Sequence, residues 1–170
     1  MNFELKKWSI DYKNDLIEAF KDGEILKKLP DSYPYPFEEQ HAQYYITERI
    51  FNSEERQICR AIVADNKVIG GVEIILGTGK FSKTGSLSIW LSKKYRRQGI
   101  GSSTVKQLCD TVFNDYGAAR VTARVIGYDQ ITPVFLEYTG FSYEGTIHSA
   151  IYENGSFYDY KIYAIINTSK

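Results

Sequence analysis

The chain lacks the features that mark several large classes of protein. Its 170 residues contain no apolar run of about 18, the length that a membrane-spanning helix needs. Lys plus Arg and Asp plus Glu are equal at 21 each, so no net charge draws the chain toward nucleic acid. Its two cysteines, Cys59 and Cys109, lie far apart in apolar segments, and we expect reduced core thiols rather than a disulfide or a nucleophile.

The chain also starts without a secretion pattern. Residues 1–6 do not place an apolar stretch after a basic one. We therefore expect a cytoplasmic protein with no membrane partner and no nucleic-acid partner, acting as a monomer or homodimer. A hydrophobic content of 43% is enough for a real core, and the length suits a single domain over residues 1–170.

Two familiar phosphate-binding motifs are missing as well. A dinucleotide fingerprint with glycines at its first, third and sixth positions would begin at Gly99, but its sixth position is Thr104. The nucleotide-triphosphate loop requires Gly-Lys followed by Ser or Thr, and the sequence contains no such run. These absences exclude the commonest nucleotide folds.

A basic, glycine-containing turn is the most informative feature that is present. The stretch 95–103 reads YRRQGIGSS and joins a predicted strand, residues 86–91, to a strongly amphipathic predicted helix, residues 101–116. Free backbone N–H groups and the positive end of a helix attract anions there, and glycine lets the ligand come close. The turn predicts a phosphate site.

Hydrophobic periodicity gives the rest of the layout. It predicts strands at residues 3–8, 57–64, 67–76, 86–91 and 120–126, a hairpin of residues 144–152 and 157–166, and helices at residues 11–26, 38–51, 101–116 and 132–138. This order is typical of an α/β (α+β) domain with a mixed, mostly antiparallel sheet flanked by helices. Prolines make residues 30–37 an aromatic loop. We prefer Thr132 to Asp129 as the cap of the last helix, since that puts Pro133 at the first helical position.

Ordered motifs along the chain resemble one protein family. They are RRQGIG at 96–101, LEYTGF at 136–141, EG at 144–145 and PYP at 34–36. In this order they resemble the GCN5-related N-acetyltransferases (GNAT), and within them the RimJ/RimL-like branch of ribosomal-protein N-terminal acetyltransferases. The resemblance implies a single GNAT domain whose sheet is splayed at the cofactor strand, residues 86–91.

The resemblance also implies an activity and a cofactor site. The activity is acetyl transfer from acetyl-CoA directly to a primary amine, on a protein N-terminus or a small molecule, with no metal. Asp129 stands where the branch commonly has an asparagine that contacts the cofactor. The implied cofactor-binding residues are Trp90, Leu91, Ser92, Arg96, Arg97, Gln98, Gly99, Ile100, Gly101, Ser102, Ser103 and Asp129.

The acid–base residues depart from the family pattern. Many relatives carry a glutamate near the positions of Ser86 or Arg124, and both are absent here. Glu73 is the nearest candidate base, and the alternative is a solvent-facing strand residue. Thr132 is a candidate proton donor for the departing thiolate or simply a helix cap. Tyr138 either donates that proton or covers the edge of the cofactor.

Two further interpretations remain open from the sequence. The missing glutamates would suit a non-catalytic module that binds or senses acyl-CoA. The basic run 93–97 would suit nucleic-acid binding, which the balanced charge disfavours. The two histidines and two cysteines show no metal-ligand spacing, and we expect no metal.

Overall fold

The structure is a computed structural model that describes residues 2–21, 23–29, 33–52 and 54–168. The described residues form four α-helices and seven strands. The helices are α1 Lys13–Phe20, α2 Glu39–Phe51, α3 Ile100–Asn114 and α4 Ile131–Tyr138. The strands are β1 Glu4–Lys6, β2 Gln57–Ala64, β3 Lys67–Leu76, β4 Thr84–Leu91, β5 Arg120–Ile126, β6 Ser142–Glu153 and β7 Ser156–Ile166.

The strands hydrogen-bond in the order β1-β2-β3-β4-β5-β7-β6. β1–β2, β2–β3, β5–β7 and β7–β6 are antiparallel, whereas β4 and β5 are parallel. The parallel ladder runs from the pair Thr84 and Arg120 to the pair Leu87 and Ala123. The predicted mixed and mostly antiparallel sheet is therefore confirmed.

The chain divides into two compact units, and the first contains Met1–Ile75 and Ser88–Val105. Its core is built largely from aromatic side chains. The Phe20 ring lies 4.8 Å from both the Phe37 ring and the Trp90 ring, and Trp8 packs edge-on against Tyr45 at 5.3 Å. Edge-to-face contacts of this kind add about 0.5–1.5 kcal/mol each beyond area burial.

Two consecutive glycines let β3 lie close to Trp90. A Cβ on Gly70 would stand 2.7 Å from the Trp90 carbonyl oxygen, and one on Gly71 would stand 2.6 Å from the indole Nε1. Neither contact is possible for a side chain. Gly70 and Gly71 are thus required for the position of Trp90, the residue that precedes the end of β4.

The second unit contains Leu76–Leu87 and Lys106–Lys170. Its β6–β7 hairpin turns at Asn154 and Gly155, whose φ values of 49° and 80° suit a tight two-residue turn. The buried residues of this unit include Val112, Val121, Leu136, Phe141 and Tyr163. The hairpin predicted from Asn-Gly is confirmed.

The observed helix ends show which boundaries the local sequence pattern predicts correctly and which it does not. The predicted helix 11–26 is wrong at both ends, because residues 10–12 and 26–28 form 3₁₀ turns and α1 ends at Phe20. Gly23, with φ of 72°, breaks it. The stop predicted at Gly117 is confirmed: its φ is 62°, and the Ala118 N–H donates to the Val112 carbonyl at 3.0 Å.

The aromatic loop divides between the core and the surface. Residues 30–32 lie outside the described residues. Phe37 is buried in the aromatic core, whereas Tyr35 is 68% exposed. Within the described ranges, no helix is both long enough and apolar enough to cross a membrane.

Candidate active site

The basic turn after β4 has a backbone that only certain residues adopt easily. Arg97 and Gly99 have φ values of 61° and 78°. A Cβ on Gly99 would meet no atom within 4 Å, so this backbone faces open space. The strand, turn and helix therefore leave the peptide groups around Gly99 open to a ligand.

The start of α3 supplies unpaired amides at the same place. The Ser103 N–H donates to the Gly99 carbonyl at 3.0 Å, and this is the first backbone hydrogen bond of the helix. The amides of Ile100, Gly101 and Ser102 come before it and have no carbonyl within the helix to bond. Together with the positive helix end, these amides fit a pyrophosphate.

Side chains of the turn mainly hold it in shape. Arg96 Nε donates to the Leu91 carbonyl at 2.8 Å, and Gln98 Nε2 donates to the Lys94 carbonyl at 3.0 Å. The Ser102 hydroxyl donates to the Gly99 carbonyl at 2.9 Å. This arrangement leaves Ser102 as an acceptor, while the exposed Arg97 and the remaining N–H groups of Arg96 stay available to phosphate oxygens.

Two predicted cofactor residues point their side chains into the core. Ile100 is 2% exposed and Trp90 is 7% exposed. The indole of Trp90 donates to the Tyr45 hydroxyl at 2.8 Å, and the Ser92 N–H donates to the Ile69 carbonyl at 2.8 Å. Ile100 therefore offers backbone rather than side chain at the turn, and Trp90 does the same within β4.

Glu73, the candidate base, is buried rather than solvent-facing. Its carboxylate lies 3.3 and 3.4 Å from Arg49 Nη2 through its two oxygens. Gln57 Nε2 and Cys59 Sγ each lie 3.4 Å from Oε2. The alternative of a solvated strand residue is wrong, because Glu73 is only 7% exposed and Arg49 of α2 lies against its carboxylate.

Arg49 is the residue that sequence reasoning missed. Its guanidinium lies 3.4 Å from the centroid of the Tyr45 ring, and Nη1 donates to the Tyr45 carbonyl at 3.1 Å. Tyr33 also hydrogen-bonds to its side chain. Burial alone lowers the pKa of Arg49, but Tyr45 and Glu73 raise it overall, so the cation persists. The available signal was an arginine on the buried side of α2, four residues after Tyr45.

A narrow cavity of about 10 Å³ opens onto this cluster. Its walls include Leu29, Tyr45, Glu73, Ser88 and Trp90. The volume is close to the least that admits one water molecule. The structure thus brings Glu73 together with two residues of β4 inside the first unit.

The second unit holds the other candidates, at the start of α4. Asp129 Oδ1 accepts from the Ile131 and Thr132 amides at 2.9 and 3.0 Å, and Oδ2 accepts from the Thr132 hydroxyl at 2.7 Å. Asp129 is therefore the capping side chain, and the preference for Thr132 is wrong. α4 itself begins at Ile131, after Gln130, so Pro133 is its third residue and costs no hydrogen bond, because N–H groups at that position have no helical partner.

The two candidate proton donors, Thr132 and Tyr138, differ in how available their hydroxyl groups are. The Thr132 proton is committed to Asp129, whereas Tyr138 is 81% exposed. Among the residues with described positions, no three His, Cys, Asp or Glu side chains gather as metal ligands would.

This combination of a mixed sheet, a glycine turn and an open helix start is typical of acyl-CoA-dependent transferases. The chain belongs to the acetyltransferase (GNAT) family, whose sequence model matches residues 23–138. The predicted family and acetyltransferase activity are thereby confirmed. A relative from Bacillus subtilis (strain 168), the SPbeta prophage-derived uncharacterized N-acetyltransferase YokL, is 24% identical over 140 residues, 81% of this chain and 76% of that protein.

Solved structures show the same fold over nearly the whole chain. RimL, a ribosomal L7/L12 alpha-N-protein acetyltransferase in complex with coenzyme A, superposes with a TM-score of 0.87 at 19% identity, covering 100% of this chain and 97% of that one. The microcin C7 self-immunity acetyltransferase MccE, in complex with acetyl-CoA and AMP, gives 0.82 at 22% identity, covering 97% and 92%.

Proposed function

We propose that the protein transfers the acetyl group of acetyl-CoA directly to a primary amine. The observation that carries this proposal is the open backbone from Arg97 to Gly101, where positive φ values and unpaired helix amides form a pyrophosphate site. The backbone of Trp90 and Leu91 at the end of β4, with Ser92 next to them, then lies along the pantetheine arm, although the Ser92 N–H already donates to the Ile69 carbonyl. Asp129 supports the site by capping the start of α4, because its carboxylate has no N–H to donate to the cofactor.

The chemistry needs two proton movements. As the amine nitrogen bonds to the thioester carbon, its proton passes to the Glu73 carboxylate, directly or through one water in the cavity. As the carbon–sulfur bond breaks, the thiolate takes a proton from Tyr138. Thr132 is the weaker donor, because its hydroxyl hydrogen already bonds Asp129. Holding both reactants side by side supplies much of the acceleration.

We propose a narrower class of acceptor than primary amines in general. By its name, the RimL structure that shares this fold acetylates the α-amine of a ribosomal protein. That parallel supports a RimJ/RimL-like enzyme acting on a protein N-terminus, with small-molecule amines as the other acceptors to test. Both cysteines are buried free thiols, which suits the reducing cytoplasm, where we place the enzyme as a monomer or homodimer.

Two measurements test the proposal. Isothermal titration should detect acetyl-CoA at micromolar concentrations, and its absence would refute the cofactor assignment. Thiol release should then be screened over peptides of varied N-terminus, polyamines and aminoglycosides. Binding of acetyl-CoA without thiol release on any of them would contradict direct amine acetylation and favour a sensing module.

A further inference from the structure

Arg124 of β5 is a cation without a carboxylate partner among the residues whose positions are described. It lies on the solvent-facing side of the strand, where buried residues alternate with residues that have solvent access from Val121 to Ile126. Arg120, four residues earlier on the same side, is paired with Glu144. Within the described part of the chain, no such ion pair engages Arg124, so its charge is open on this part of the sheet.

An aromatic ring on the next strand restrains the Arg124 side chain. Its Cζ lies 5.6 Å from the centroid of the Tyr160 ring on β7, which is within the range of a cation–π contact. The guanidinium keeps its N–H groups free in this contact, and their planar fork matches a carboxylate through two parallel bonds. Tyr160 itself stands opposite Ile126 of β5 and Ile147 of β6, so its strand neighbours add no competing anion.

Strand pairing puts Arg124 at the point where β4 and β5 cease to pair. The parallel ladder ends at the pair Leu87 and Ala123, so Arg124 is the first residue of β5 beyond it. Within the paired part, the Thr122 hydroxyl donates to the Gly85 carbonyl at 3.0 Å. The proposed function assigns the backbone at the end of β4 to the acyl arm of acetyl-CoA. An acceptor that reacts there would extend over the adjacent strand, β5, and meet the charge of Arg124.

We propose that Arg124 selects acceptors that carry a carboxylate close to the reacting amine, namely protein N-termini whose second or third residue is acidic. The proposal rests on the proposed function, because it names the acceptor class of the same reaction. Arg124 contacts the acceptor through its guanidinium and takes no part in the proton transfers. It determines which acceptor binds, while the open backbone of the turn determines which cofactor binds.

Peptide binding tests this selection without requiring turnover. A set of peptides with an N-terminal serine would carry aspartate, asparagine or lysine at the second and third positions and a dye at the C-terminus. Fluorescence anisotropy in the presence of CoA, which has no acetyl group to transfer, measures each Kd. We expect the aspartate peptide to bind roughly fivefold more tightly than the asparagine peptide, as for an exposed ion pair, and the lysine peptide to bind most weakly. Salt at about 0.5 M should reduce these differences.

Variants of Arg124 assign the preference to this side chain. R124Q keeps a long polar side chain without the charge and should bind the aspartate and asparagine peptides equally. R124E should invert the order, so that the lysine peptide binds best. The matched control is R56E, because Arg56 is an exposed arginine in the turn before β2 and the substitution changes the net charge equally. Equal affinities of the peptides for the wild type, or the same change of preference in R56E and R124E, would overturn the proposal.

Thiol release separates this proposal from the proposed function. In the active enzyme, kcat/KM for the peptides should follow the same order as binding, with an unchanged Kd for acetyl-CoA in R124Q and R124E. Preferential binding of the aspartate peptide without thiol release would refute acetyl transfer to these N-termini and leave the selection by Arg124 standing. Equal thiol release with all the peptides would refute the selection and leave acetyl transfer standing.

Discussion

The turn 95–103 and the cluster around Glu73 hold their polar groups in opposite ways. The turn presents backbone amides to solvent, and its side chains bond back to carbonyls at 2.8–3.0 Å. The cluster presents side chains in a buried site, with charged contacts of 3.3–3.4 Å. An anion site made of backbone depends on the conformation of the turn, whereas a buried ion pair depends on each side chain.

Breaking the ion pair should have the largest effect. The variant R49M leaves the Glu73 carboxylate buried without its cation, and we expect a loss of about 3–5 kcal/mol in the free energy of unfolding. Urea denaturation followed by tryptophan fluorescence measures it. The double variant R49M/E73Q removes both charges and should recover most of the loss. If the single and double variants lost equal stability, the unpaired charge of Glu73 would not explain the loss.

Thiol reactivity tests how closed the cluster is. Burial, with the Glu73 charge second, raises the pKa of Cys59 to about 12, and burial does the same for Cys109 on α3. At pH 8 only about one thiol in ten thousand is then ionised, and the thiolate is the reactive form. We expect a disulfide reagent to label neither residue in the native protein and both in urea. Rapid native labelling of Cys59 alone would mean that the cluster opens to solvent.

A valine at Gly99 should disable the turn. The φ of 78° strains any β-branched side chain, and the added Cβ would occupy the open space that the ligand needs. We expect the Kd for acetyl-CoA to rise roughly a hundredfold or more, about 2.7 kcal/mol. The matched control is G79V, because Gly79 has φ of 55° and equally open surroundings. If G79V and G99V lost similar affinity for acetyl-CoA, the loss in G99V would not come from the turn that contains Gly99.

The same contrast explains what the sequence could predict. The turn is local, so nine consecutive residues carry its glycines, its charges and the start of α3. β2, β3 and β5 were also predicted with their observed bounds, because each is a periodic run closed by turn residues. The Glu73 environment is not local, since Arg49 lies 24 residues away and its contact exists only once α2 packs on β3. Neither a period nor a motif marks such a pair.

The cap of α4 should show the smallest effect, and it tests whether Asp129 serves structure or the cofactor. D129A removes three hydrogen bonds at the helix start and should cost about 0.5–2 kcal/mol in the free energy of unfolding. D129N keeps an oxygen for the Ile131 and Thr132 amides and adds the amide donor usual in the branch, so its stability should stay within about 0.5 kcal/mol of wild type. Thermal unfolding and acetyl-CoA titration separate the two roles. Unchanged stability in D129A would contradict the cap, whereas tighter acetyl-CoA binding in D129N than in wild type would show that this position also reaches the cofactor.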